Sequence, residues 1–298
     1  METKSWIEAF RLRTLPLALA SIGMGGFLAA AAGKFDGLIF GLCCVTTIFL
    51  QVLSNLANDY GDSIHGADHA DRKGPKRAVQ SGVISATQMK RAVTLFSMLS
   101  LVSGAALLLT SFGFDWNSIL FFFVLGVLCI AAAIAYTVGN KPYGYAGLGD
   151  VAVLIFFGIV GVMGSTYLFT KEIYWPNVWP ALSCGFFSMA VLNINNIRDI
   201  ESDRVAGKFS IPVRTGKRVA VQYHWFLLLA GLFSAIFYTM IHFRSSYQLL
   251  FLLAAPLLFA NGISVAKKPS EELDPYLKQM ALSTLLFVVL FGVGNLVR

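Results

Sequence analysis

Apolar residues in this chain run in blocks of about twenty, and polar residues collect in the gaps between the blocks. A hydrocarbon core of roughly 30 Å takes about 20 residues of helix to cross. Nine stretches meet that length: Leu15 to Gly33, Gly37 to Ala57, Ala92 to Phe114, Ser118 to Val138, Val151 to Thr170, Pro176 to Asn196, Tyr223 to Phe243, Tyr247 to Ala266 and Met280 to Val297. Inside a bilayer every backbone polar group must be satisfied within the segment, so such blocks fold as helices. The pattern predicts an all-α polytopic membrane protein, a bundle of nine transmembrane helices whose termini lie on opposite sides.

Composition narrows the function classes. Of 298 residues, 56% are hydrophobic and only 13% charged, against about a quarter charged in soluble domains. Disordered chains, disulfide scaffolds and soluble nucleic-acid modules are excluded, and no nucleic-acid partner is expected. The net charge of +7 reads mainly as topology. The N-terminal segment and the loops after spans 2, 4, 6 and 8 hold 19 of the 23 Lys and Arg. The positive-inside rule therefore puts the N-terminus and the two long basic loops in the cytoplasm and the C-terminus outside. Cys43, Cys44, Cys129 and Cys184 fall inside spans and act there as small apolar residues. Ala29 to Ala32 imitate a signal-peptidase site, but the first apolar run is longer than a signal h-region and is kept as a span.

The connections are unequal. External loops are short, whereas those after spans 2 and 6 hold most of the acids, amides and bases. Long loops on a compact body usually carry function. Ser85-Ala-Thr-Gln88 is a capping box that starts the helix into span 3.

Two acidic clusters lie at cytoplasmic ends of spans. The first reads Asn58-Asp59-Tyr60-Gly61-Asp62 and continues through Asp68 to Asp71-Arg72; the second runs from Asn195-Asn196-Ile197-Arg198-Asp199 to Asp203-Arg204. Asn58 and Asp62 stand at i and i+4 on one helix face, and Asn195, Asp199 and Asp203 repeat that spacing. A lone acidic pair at a helix end is ordinarily a solvated terminus. Two matched, Asn-led clusters on one membrane face instead suggest two related four-span halves, about 15–138 and 151–266, with a ninth helix at 280–297. Carboxylate and amide oxygens suit a hard cation such as Mg2+. Arg72, Lys73, Lys76 and Arg77 flank the first cluster; Arg198, Arg204, Lys208 and Arg214 flank the second; Lys141 follows span 4. Acids that hold Mg2+ beside bases that grip phosphate oxygens make a diphosphate site. A diphosphate met at a membrane carries a hydrocarbon tail. His65 and His69 offer two zinc-type ligands without an evident third. A cation-coupled transporter shares polar span ends, but its site belongs near the bilayer midplane. Here spans 1, 3, 5, 7, 8 and 9 carry no charge as drawn.

The paired motifs, with Arg13-Thr14-Leu15-Pro16 near the start, resemble the membrane-embedded UbiA-type aromatic prenyltransferases over essentially the whole chain. The first motif, longer than a plain Asp-x3-Asp, looks most like the 1,4-dihydroxy-2-naphthoate branch rather than the 4-hydroxybenzoate branch. The resemblance implies a central cavity capped by the cytoplasmic loops and open to lipid. It implies Mg2+, with Mn2+ as a substitute, on Asn58, Asp62, Asn195 and Asp199, with Asp68 and Asp203 as further ligands. Asp62 and Asp199 would be the catalytic acids, and Arg72, Lys141, Arg204 and Lys208 would bind the diphosphate. Substrates would be a polyprenyl diphosphate and an aromatic acid, the product forming with loss of CO2, at the cytoplasmic face of a bacterial-type cell membrane. Chain length of the prenyl donor and oligomeric state leave no trace in the sequence.

Overall fold

The computed structural model describes residues 2–64 and 79–297. Among them, nine helical stretches are long and apolar enough to cross a membrane. We number them span 1 (Leu15–Ala31), span 2 (Gly37–Ile64), span 3 (Ala86–Phe112), span 4 (Trp116–Ala135), span 5 (Gly149–Thr170), span 6 (Val178–Arg198), span 7 (Ile211–Ile241), span 8 (Ser246–Lys267) and span 9 (Asp274–Leu296). A short helix, Glu2–Phe10, and a turn at Leu12–Thr14 precede span 1. Each apolar block of the sequence falls on one of these helices, and no described residue lies in a strand. The protein is an all-α integral membrane protein.

Helix ends follow local chemistry. The Ser85 hydroxyl accepts from the Gln88 N–H at 3.2 Å while the Gln88 side chain accepts from the Ser85 N–H at 2.8 Å, so the capping box forms. Asp115 caps span 4 through Ser118, whose hydroxyl donates to it at 2.6 Å.

Several helices depart from the apolar blocks, three of them near the site or at a close contact. Span 2 continues past Ala57 to Ile64 and carries Asn58 and Asp62 on regular helix. Span 7 starts at Ile211, well before the block at Tyr223, and breaks at Gly216. Hydropathy reads Arg214, Lys217 and Arg218 as loop because charge ends an apolar window; the helix simply extends out of the hydrocarbon. Span 5 is π-helical over Leu154–Gly164. There a Cβ on Gly158 would stand 2.9 Å from the Ala181 carbonyl oxygen, so only glycine lets spans 5 and 6 approach this closely.

The largest core joins spans 1, 5, 6, 7, 8 and 9 around Phe187, Phe251, Phe287 and Phe291. A smaller cluster packs the N-terminal helix on spans 2 and 3. Span 4 buries no residue completely and presents Leu120, Phe121, Val124 and Leu128 outward. Such a face is what a helix at the lipid boundary shows. Between the two packed groups lies a cavity of about 480 Å³, reached by residues of spans 1 to 6 and span 9.

Candidate active site

The polar end of that cavity is built from both acidic clusters. Asn58, Asp62, Asn195, Asp199 and Asp203 all line it, so residues 137 apart in sequence meet on one wall. On span 2 the i, i+4 spacing directs Asn58 and Asp62 inward, while Asp59 turns away and pairs with Arg11. Span 6 does not continue as one helix through its cluster. It ends at Arg198 and a short helix, Ile200–Val205, follows, with Asp199 at the break. The i, i+4 hydrogen bonds survive it: the Asp199 N–H reaches the Asn195 carbonyl at 3.1 Å and the Asp203 N–H reaches the Asp199 carbonyl at 2.8 Å. The shared face is therefore kept.

Each acid has a cation or donor. Lys208 lies between the two clusters, 3.3 Å from Asp62 and 3.4 Å from Asp203. The Tyr145 hydroxyl donates to Asp62 at 2.7 Å, and the Lys208 ammonium sits 5.0 Å from the centre of the Tyr145 ring. Burial pushes the Asp203 carboxyl above the ordinary carboxylate range; Asp199 and Asp62 add to the rise and Lys208 opposes it. Arg198, only 3% exposed, holds Asp199 with two nitrogens at 2.8 and 2.7 Å, Asn195 at 2.8 Å and Asp274 at 2.5 Å. That bidentate clamp fixes where Asp199 points.

The loop after span 4 completes the wall. The Phe209 N–H donates to the Tyr145 carbonyl at 2.8 Å, and Arg214 donates to the Ala146 carbonyl at 2.7 Å, joining this loop to the one after span 6. Gly61 makes the approach possible: a Cβ there would lie 2.6 Å from the Thr137 carbonyl oxygen. Away from the polar end the lining includes Phe156, Phe157, Val160 and Leu168, with Leu108, Phe122 and Gly126 among the residues from spans 3 and 4.

The bases expected at the diphosphate divide. Lys208 is at the acids. Arg204 is not brought there: it is exposed and pairs with Glu201 at 2.8 Å. Lys141 is exposed and absent from the cavity lining. Arg198 and Arg214 are committed to Asp199 and to a backbone carbonyl. Asp68, Arg72, Asp71, His65, His69, Lys73, Lys76 and Arg77 lie outside the described residues. The sequence reading passed over Tyr145 and Asp150, which also line the cavity; Asp150 accepts from the Tyr223 hydroxyl at 3.1 Å. The signal available for both was their place, on the same membrane side as the acids and next to a span end.

An all-oxygen donor set on the wall of a mostly apolar cavity suits a hard divalent ion and not zinc, which favours nitrogen and sulfur. The Ser210 hydroxyl, buried two residues from Lys208, has no hydrogen-bond partner among the described residues. It offers an oxygen-rich ligand a donor.

Residues 18–290 match the model of the UbiA prenyltransferase family. The chain belongs to that family. It is 47% identical to the 1,4-dihydroxy-2-naphthoate octaprenyltransferase of Haemophilus influenzae, over 99% of this chain and 96% of that protein. With the protein of the same name from Escherichia coli it shares 45% identity over 96% and 94% of the two chains. Its fold is similar to that of a UbiA homolog from Archaeoglobus fulgidus bound to GPP and Mg2+, with a TM-score of 0.69 over 99% of this chain and 100% of that one at 15% identity. Family membership sets the transporter reading aside: the chain is a membrane prenyltransferase.

Proposed function

We propose that this prenyltransferase moves a polyprenyl group from polyprenyl diphosphate to 1,4-dihydroxy-2-naphthoate, releasing diphosphate and CO2 and giving a prenylated naphthalenediol. The observation that carries the reading is the meeting of two Asn/Asp clusters on the wall of a cavity that is otherwise mostly apolar. The acceptor rests on the near-full-length likeness to proteins named for that activity.

Asn58, Asp62, Asn195, Asp199 and Asp203 would hold Mg2+, and Asp68 is a further candidate. Bound Mg2+, or Mn2+ in its place, would neutralise charge on the departing diphosphate. Lys208 brings a fixed cation to the same place, where an interaction that strengthens as charge develops lowers the barrier. Arg198 holds Asp199 and Asn195 in position before substrate arrives. Phe156, Phe157 and Val160 accommodate the tail and keep water from the allylic cation. The bonds then balance. The allylic C–O bond breaks with its electron pair leaving on diphosphate; a ring carbon bonds to the allylic carbon; the carboxylate's C–C bond breaks, its electrons return to the ring and CO2 departs. We place the site at the cytoplasmic face, with the N-terminus inside and the C-terminus outside, on the distribution of Lys and Arg. We read 15–138 and 151–266 as related halves because each supplies one cluster.

Incubating the purified protein with Mg2+, a polyprenyl diphosphate and a panel of aromatic acids, then weighing the products, tests the reading. A product from dihydroxynaphthoate lacking the carboxylate mass supports it; product from 4-hydroxybenzoate alone would move the protein to another branch.

A further inference from the structure

Part of the polar lining of the same cavity is left unused by this chemistry. Among the described residues four cations line the cavity: Arg11, Arg13, Lys208 and Lys278. Lys208 is held between Asp62 and Asp203, and Arg11 is committed to the buried carboxylate of Asp59. Arg13 and Lys278 remain, and they come from different elements to one place. Arg13 bonds Asp274 with one terminal nitrogen at 2.6 Å. Lys278 follows Asp274 by four residues on span 9, so it lies on the same helix face, one turn farther along. Lys278 makes no ion pair or hydrogen bond with a described residue, and the other nitrogens of Arg13 make none.

The turn carrying Arg13 is unusually fixed. Arg11 adopts a left-handed backbone at φ 49° and ψ 54°, which a non-glycine residue keeps only where its surroundings impose it. The Thr14 N–H and hydroxyl both donate to the Arg11 carbonyl, at 2.8 and 2.9 Å. Asn55 on span 2 donates to the Phe10 carbonyl at 2.9 Å and to the Thr14 hydroxyl at 3.0 Å. The Asp274 that takes Arg13 also takes Arg198, the clamp of the second acidic cluster. The turn is thus tied to Asp59 of the first cluster through Arg11 and to the Arg198 clamp of the second through Asp274.

From this arrangement we infer that Arg13 and Lys278 bind the carboxylate of the aromatic acceptor. An acid entering a cavity that already holds a diphosphate brings a second negative charge into surroundings of low dielectric, and it needs cations not already spent on the first. A guanidinium and an ammonium supply them, and they orient the ring so that its carboxylate-bearing side faces a fixed point. The inference rests on the aromatic-acid reading above and adds the residues that select for an acid.

Arg13→Gln, Arg13→Lys and Lys278→Gln test it in the full-length protein. Binding of 1-hydroxy-2-naphthoate and of neutral 1-naphthol, followed by naphthalene fluorescence, reads the carboxylate site whether or not turnover occurs. Wild type should prefer the acid. Each Gln variant should weaken acid binding by at least about tenfold, the scale of a lost hydrogen bond to a charged group, leave 1-naphthol binding unchanged, and leave the KM for prenyl diphosphate unchanged. Arg13→Lys should recover part of the preference. Lys278→Gln removes an exposed side chain with no ion pair among the described residues, so its result is independent of any folding defect in the Arg13 variants. Equal binding of acid and naphthol by wild type, a preference that persists in both Gln variants, or a rise confined to the KM for prenyl diphosphate would overturn the inference. Absence of product from wild type with any aromatic acid would instead overturn the acceptor reading, and the binding comparison would still decide the carboxylate site.

Discussion

Asp62 and Asp199 belong to different helices and have different keepers, Tyr145 with Lys208 for one and Arg198 for the other. If both support charge in the transition state, Asp62→Ala and Asp199→Ala should each lower turnover by at least roughly a hundredfold, with unchanged abundance in the membrane fraction. Glu201 supplies the comparison: it is exposed, points away from the shared face and pairs with Arg204. Glu201→Ala should keep most activity, and an equal loss in Glu201→Ala and Asp199→Ala would return these acids to a structural role. The two bases separate in the same assay. Lys208→Ala should be severely impaired and Arg204→Ala close to wild type; equal impairment of the two would favour the sequence expectation, which put both at the diphosphate. The structure separates the two bases for a definable reason. Arg198, Arg204 and Lys208 are all basic residues near the second cluster, but the break at Asp199 and the position of Asp274, far along the chain, decide which one faces the cavity. The acids were legible because i, i+4 spacing on a helix fixes a common face; the bases were not, because their partners are tertiary.

At the level of helices, nearly everything inside the hydrocarbon was legible, since a block of apolar residues long enough to span has few other solutions. What hydropathy could not give was the polar extension of spans 2 and 7, the π-helical stretch in span 5 and the closeness of particular pairs. Those depend on small residues at contacts. Gly61 adjoins Asp62, where the end of span 2 passes the Thr137 backbone. A methyl group there forces the two segments apart. Gly61→Ala should therefore destabilise the protein by ~1–3 kcal/mol and lower activity, read as an earlier thermal transition in detergent together with a reduced rate. A transition and rate equal to wild type would mean that this contact does not set the geometry of Asn58 and Asp62.

For the whole molecule, the charge asymmetry and the all-oxygen site make separate statements. Reporter tags should place the N-terminus in the cytoplasm and the C-terminus outside; finding both on one side would remove a span and the pairing of halves. Activity should vanish with EDTA, return with Mg2+ or Mn2+, and not return with Zn2+ alone. The central claim is that two clusters, one from each half, form a single metal-dependent diphosphate site. Equilibrium binding of a non-ionising prenyl thiodiphosphate to wild type, Asp62→Ala and Asp199→Ala, each with Mg2+ and with EDTA, tests it most directly. Tight binding by wild type that requires Mg2+ and is lost in both variants is the predicted result; binding indifferent to the metal, or retained when either cluster is broken, would contradict it.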